Sequence, residues 1–288
     1  MRYYRGMKPR ALYATAGLLL LLIAVIYQPV AGKQPAVLVH EPSYLMQAEE
    51  VPKLAVSAYT IFDIATGEVL AAFNDTEVLP IASVTKLLTA VVALEVLPLE
   101  DVVAVKAVDL REEGHSGQLQ VGETYTYREL LFPLLLASSN DTAAIFTRAT
   151  STNFLAALQS YAKAVGAEAT TLADASGLSD HNTATAADLA LLTRHIYQTQ
   201  PHVFDITTLS KQLGPYAGWL NNSPLRQTGY QGGKHGYTEA AGRTAVTLYR
   251  EPFPGGSRTL GYVVLGSRDL AGDMSLLREF VHKAVTLE

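Results

Sequence analysis

No cysteine occurs in the 288-residue chain, which excludes disulfide frameworks, thiolate metal sites and a cysteine nucleophile. Charged residues make up only 17% of it, against 49% hydrophobic. That is too apolar for a chain disordered throughout and rich enough to bury a core. Acidic residues are missing altogether before Glu41, while Arg2, Arg5, Lys8 and Arg10 crowd the first ten positions. Without those four, 18 basic residues face 27 acids, so the rest of the chain carries −9. An acidic body excludes nonspecific nucleic-acid binding, which needs a basic face to neutralise phosphates. None of the seven histidines (40, 115, 181, 195, 202, 235 and 282) has an H-x-x-x-H spacing, so neither a metal nor a cofactor is implied.

Polar residues are also scarce from Ala11 to Tyr27, where Thr15 is the one clear exception. Seventeen residues at about 1.5 Å each span roughly 25 Å, close to a thin hydrocarbon core. The basic cluster before the run predicts a cytoplasmic N-terminus and an exported body. Residues 1–32 therefore read as an uncleaved anchor of a single-pass membrane protein. A cleaved signal peptide, processed near Val30-Ala31-Gly32, is the alternative and gives a secreted body. The apolar run exceeds a usual signal core, which favours the anchor. Residues 33–52 read as a tether, whose apolar piece Ala36–Val39 is either an edge strand or plain linker.

The body, 53–288, opens with strand-like runs Leu54–Phe62 and Glu68–Phe73 joined by a turn ending in Gly67. Helical patterns follow over Ser83–Leu94, Tyr127–Leu136, Asp141–Thr150 and Thr152–Val165, with Asp141 as a cap. A capping box Thr185-Ala-Ala-Asp188 starts another, ending near Gln198. Strands return at Arg243–Tyr249 and Thr259–Gly266, before a last helix capped at Asp273. Strands at both ends with helices between predict an α/β (α+β) domain: an antiparallel sheet covered by helices, with an all-helical subdomain.

Three short segments can carry chemistry. In Ser83-Val-Thr-Lys86 the two polar residues share a helix face, so the amine can take the hydroxyl proton if its pKa is lowered. Ser83 also opens its helix, where backbone N–H groups favour developing negative charge. The same spacing recurs at Ser160-Tyr-Ala-Lys163, but inside a running helix, where Ser160 reads as a solvated position. The second segment is Ser138-Ser139-Asn140, which reads either as a site element or as a polar loop between helices. The third is Gly232-Gly-Lys234-His235-Gly236-Tyr237, whose glycines suit either close approach to a ligand or a tight turn.

The order S-x-x-K, S-x-N, K-x-G is the set found in penicillin-binding proteins and β-lactamases. Together with FDIATGEVL, LPIASVTKLLTAVVALE, ELLFPLLLASSNDTAA, SGLSDHNTATAADLALL and GGKHGYTEAAG, it resembles the serine D-alanyl-D-alanine carboxypeptidases, the low-molecular-mass penicillin-binding proteins, over nearly all of 54–285. The resemblance implies a β-lactamase/transpeptidase-like fold with about five strands. It implies an acyl-enzyme on Ser83 with Lys86 as base, acting on peptidoglycan stem peptides and trapped covalently by β-lactams. Ser138 and Asn140 would relay protons and hold substrate, and Lys234 would supply positive charge. The backbone N–H groups of Ser83 and Tyr237, beside Gly236, would bind the oxyanion; His235 and Arg258 would read the terminal carboxylate. His235 departs from the usual Thr or Ser, and Ser139 from the commoner Gly. With an unperturbed pKa of about 6.5, His235 is expected to grip a carboxylate more tightly as it becomes charged. A DD-endopeptidase and a non-catalytic wall-binding module remain as rival functions, while a class A β-lactamase lacks its Glu-x-x-Leu-Asn loop here.

Overall fold

The computed structural model describes residues 44–46, 51–114, 116–150 and 153–287. The run Ala11–Tyr27, the basic cluster before it and Ala36–Val39 lie outside them. No helix among the described residues is long and apolar enough to cross a membrane.

Short strands β1 (Tyr44–Met46), β2 (Ala58–Asp63), β3 (Val69–Phe73) and β4 (Leu79–Pro80) precede a 3-10 turn, Ala82–Val84, which runs into helix α1 (Thr85–Val96). Strands β5 (Val102–Ala104) and β6 (Thr124–Thr126) lead to α2 (Tyr127–Leu136), α3 (Asn140–Ala149) and α4 (Phe154–Val165). After β7 (Thr183–Ala184) come α5 (Ala186–Thr199), α6 (His202–Thr208), β8 (Lys211–Leu213) and β9 (Gly218–Leu220). The long strands β10 (Tyr230–Thr238), β11 (Gly242–Phe253) and β12 (Gly256–Ser267), then α7 (Leu270–Ala284) and β13 (Val285–Leu287), complete the chain.

Five strands form one antiparallel sheet in the order β10-β11-β12-β2-β3. Its central strands are buried on both faces, which is why they read as continuous apolar runs rather than as alternation. On one face Phe62, Val246, Leu248, Val263 and Leu265 meet Leu87, Leu88 and Val91 of α1 and the other helices. On the other, Ile61, Tyr249, Tyr262 and Val264 pack against Leu277, Phe280 and Val281 of α7. The fold is the expected one, a five-stranded antiparallel sheet covered by helices.

Differences are local and have physical reasons. Tyr44–Met46, expected in the tether, forms β1 and pairs with β13. The N-cap of α3 is Ser139, whose side chain accepts from Thr142 N, rather than Asp141. At α5 Thr185 accepts from Asp188 N, but the Asp188 carboxylate accepts from Thr170 Oγ1, leaving half a capping box. The complete box belongs to α2, between Thr126 and Glu129. Asp269 caps α7, which frees Asp273 to accept from Ala55 N and Ser267 Oγ and so fasten the helix to the sheet.

Candidate active site

Ser83 sits in the 3-10 turn that feeds α1, half-buried, one residue after Ala82 at φ +48°. An alanine in left-handed backbone is uncommon and persists only where its surroundings fix it. Here they do. Ile81 N donates to Asn182 O (2.9 Å), Thr244 Oγ1 donates to Ile81 O (2.9 Å), and Thr85 Oγ1 donates to Ala82 O (2.8 Å). Two glycines make room for the turn. A Cβ on Gly236 would lie 2.5 Å from Ser83 N, and one on Gly177 would lie 2.0 Å from Ala82 O. The turn is thus wedged between strand β10 and the 174–182 loop.

Lys86, one turn further on, is fully buried. Its Nζ lies 3.0 Å from Ser83 Oγ, 2.7 Å from Asn140 Oδ1 and 2.5 Å from the carbonyl oxygen of Ser176. Burial holds its pKa well below the usual lysine range, with the charge of Lys234 pushing the same way and that of Asp174 opposing. A neutral amine has two N–H donors and one lone pair. The Asn140 and Ser176 oxygens are acceptors only, so they take the two donors. The lone pair then faces the third neighbour, the Ser83 hydroxyl, which can donate to it.

The orientation of Asn140 is fixed by its other end, because Nδ2 donates to the Glu113 carbonyl at 2.7 Å. Ser138 precedes α3 at φ +60°, half-buried. Among the described residues its hydroxyl makes no hydrogen bond, whereas its carbonyl accepts from Ser116 Oγ at 3.0 Å. The structure therefore joins Ser83, Lys86 and Asn140 directly and sets Ser138 in the turn beside them. Ser160 is exposed in α4, in keeping with a solvated helix position.

Lys234 and His235 lie on β10, which is a strand and not a turn. Lys234 is buried, donates to the His235 carbonyl at 2.7 Å, and is pushed down to about 7 by desolvation. His235 is pushed down to about 3 by burial, with Lys234 and Arg243 adding to the effect. The ring is therefore neutral across ordinary working pH, contrary to the expectation of a charge-dependent grip. It still offers one N–H donor. Tyr237 is exposed, with the Arg243 guanidinium carbon 5.4 Å from its ring centroid.

Arg258 is not at this site. Lys234 is level with Val246, and Val246 with Val263, whereas Arg258 pairs with Glu251 five residues further along β12. At about 3.3 Å per residue that is a displacement of roughly 17 Å. The arginines level with β10's site residues are Arg243, opposite Tyr237, and Arg268, which follows Ser267 opposite Arg243.

A family model for D-alanyl-D-alanine carboxypeptidase matches residues 45–267. The chain belongs to that family. It is 35% identical over 145 residues to a D-alanyl-D-alanine endopeptidase of Pseudomonas aeruginosa, covering 49% of this chain and 47% of that protein. It is 31% identical over 207 residues to the D-alanyl-D-alanine carboxypeptidase DacB2 of Mycobacterium tuberculosis, covering 68% and 71%. Its fold matches a crystal structure of a D-alanyl-D-alanine carboxypeptidase from Mycobacterium tuberculosis with TM-score 0.75 and 28% identity, over 82% of this chain and 94% of that one. The chain thus spans about half the length of the endopeptidase and most of these two carboxypeptidases.

One part of this D-alanyl-D-alanine carboxypeptidase family site was not read from the sequence. The loop Asp174–Asn182 delivers the Ser176 carbonyl to Lys86. Asp174 accepts from Ser176 N (2.7 Å), Gly177 N (2.6 Å) and Ser179 N (2.6 Å). Asn182, wholly buried, accepts from Ala173 N and Asp174 N and donates to Asp174 O and Thr85 Oγ1. The signal for a rigid loop was present in Asp174-Ala-Ser-Gly177, an Asx-type turn. A backbone carbonyl as the functional group leaves no mark on the residue type.

Proposed function

We propose that this protein is a serine-type D-Ala-D-Ala carboxypeptidase that removes the terminal D-alanine of peptidoglycan stem peptides. The observation that carries the reading is the buried Lys86 amine, its pKa held down, 3.0 Å from Ser83 Oγ with its other two neighbours, Asn140 Oδ1 and the Ser176 carbonyl, able only to accept. As Ser83 Oγ bonds to the carbonyl carbon of the penultimate D-alanine, its proton passes to Lys86 Nζ. The backbone N–H groups of Ser83 and Tyr237 hold the resulting oxyanion. Its collapse breaks the C–N bond, and the proton goes on to the leaving amine of the terminal D-alanine, with Ser138 as relay. Water then cleaves the ester by the same groups in reverse. Asn140 holds the substrate backbone as well as Lys86, and the charge of Lys234 and the neutral N–H donor of His235 read the terminal carboxylate.

β-Lactams enter by the same attack, the ring carbonyl taking the place of the peptide carbonyl. Labelling with a fluorescent penicillin and mass spectrometry of the acylated peptide tests the reading. The adduct is expected on Ser83, and Ser83→Ala abolishes it. An adduct on Ser160, or labelling that survives Ser83→Ala, overturns the assignment. No acylation at any pH would leave a wall-binding module instead. The likeness to an endopeptidase favours a second substrate with the same chemistry, a cross-linked peptide whose leaving amine belongs to another stem. Assays on pentapeptide and on cross-linked dimer, scored by free D-alanine against monomer release, separate the two.

The basic N-terminus and the run Ala11–Tyr27 support a single-pass anchor with the body outside the cytoplasmic membrane. Fractionation should find the intact chain in the membrane, accessible to external protease. A soluble exported form beginning near Lys33 would show cleavage instead.

A further inference from the structure

An asparagine amide can meet Lys86 with either of its ends, and the consequences are opposite. With Oδ1 inward, the amine gives up an N–H and keeps its lone pair for Ser83. With Nδ2 inward, the amide donates to the amine, and the lone pair is drawn away from Ser83. The choice rests on a single contact, the Nδ2 donation to the Glu113 carbonyl. Since a carbonyl can only accept, Nδ2 must face it and Oδ1 must face Lys86.

Glu113 lies on a surface loop, so something must hold that loop in place. Trp219, the chain's sole tryptophan and 2% exposed, donates its indole N–H to the Gly117 carbonyl at 2.7 Å. Ser116 Oγ donates to the Ser138 carbonyl at 3.0 Å, tying the same loop to the turn before Asn140. Trp219 sits on β9, and just beyond β9 Asn222 N donates to Leu136 O at 3.1 Å, at the other side of that turn. The β8–β9 hairpin thus buttresses both partners, the loop that carries Glu113 and the turn that carries Asn140.

We propose that the loop bearing Glu113, Ser116 and Gly117, pinned by Trp219 and Ser116, is a positioning device that keeps Asn140 Oδ1 on Lys86 and so aims the amine's lone pair at Ser83. The inference rests on the acyl-transfer reading above. Trp219 and Ser116 are positioning residues: neither touches Ser83 or Lys86. An indole buried only to fill space would act on stability alone, whereas a positioning role acts on the chemical step.

The test uses the full chain and a fluorescent penicillin, and measures the acylation rate constant at saturation, the half-saturating concentration and the Tm. Trp219→Phe keeps an aromatic ring and removes the donor; Ser116→Ala removes the second pin at a half-buried position. Each is expected to lower the saturating rate about three- to tenfold, the range for one hydrogen bond of ordinary net strength. The rate is expected to fall whether or not the half-saturating concentration shifts, since Asn140 also holds substrate, and the full fraction of protein should still be labelled. Saturating rates unaltered in both variants overturn the inference, as does a loss confined to half-saturation or to the labelled fraction. If Trp219→Phe does not fold, Ser116→Ala decides alone by the same criteria. A wild-type chain that is not acylated on Ser83 overturns the acyl-transfer reading itself. Normal wild-type acylation with unaltered variants overturns only the positioning role.

Discussion

A lysine can act as a base only while it is neutral, and at Lys86 that state is produced by burial and by a second buried lysine. Because its pKa is lowered, the amine stays neutral down to a pH well below the usual lysine range, and acylation should fall as pH drops through the lowered value. Lys86→Arg replaces it with a group that remains charged, so penicillin acylation should slow by about 10²–10⁴-fold. His235 gives the second expectation at this scale. With its pKa at about 3, the ratio of kcat/KM for wild type over His235→Thr should stay flat from pH 5.5 to 8; a ratio that falls with pH would mean the ring is charged after all. The unfolded ring takes up a proton near its ordinary 6.5, while the folded ring resists to about 3. Its contribution to stability is therefore complete above about 6.5 and is lost as pH falls toward 3. Removing the ring in His235→Thr should flatten the acid side of a Tm-against-pH curve. The sequence offered Lys234 as a neighbour but not Arg243, which the β10–β11 hairpin folds back beside it.

The elements that were legible are the long periodic ones. The apolar spacing of Leu87, Leu88, Val91 and Val92 defines α1. The run Arg243–Tyr249 is strand-like because both sheet faces are covered: Val246 and Leu248 point one way, Ala245 and Tyr249 the other. Caps were less legible. Ser139, Asn140 and Asp141 are all good capping types, and only the left-handed backbone at Ser138 decides which residue takes the role. The nucleophile's turn depends on its neighbours rather than on its own residues, and this has a measurable consequence. Gly236→Ala places a methyl against Ser83 N on one side of the wedge. The overpacking should cost about 1–3 kcal/mol of stability and abolish most acylation, by urea denaturation and penicillin labelling respectively. Acylation at the wild-type rate would mean that the turn and strand can separate freely.

Across the whole molecule, the two cores on either side of the sheet explain why the site could be assembled from motifs about fifty and a hundred residues apart. Arg258 was misplaced for the converse reason: a strand pattern shows which face a residue takes but not which end of the sheet carries the site. The same limit concealed β1. Tyr44 donates to Asp63, packs edge-on against Phe253 and pairs with Leu287. A chain beginning at Val51 loses these contacts, roughly 2 kcal/mol in all. Its Tm should fall by about 4–8 °C relative to one beginning at Pro42, with penicillin acylation unaltered, by calorimetry and labelling.

The β1–β13 pairing also sets how the body responds to tension. Tyr44 lies opposite Leu287 and Met46 opposite Val285, so a pull on the chain entering β1 is resisted from the far end of the ladder, where β13 joins α7. The ladder is loaded in shear, its hydrogen bonds sharing the force instead of opening one after another. The strain passes into α7 and the core beneath it, on the sheet face away from α1. A pull entering at β1 is thus met first on the α7 side of the sheet, the face opposite the one that carries α1 with Lys86.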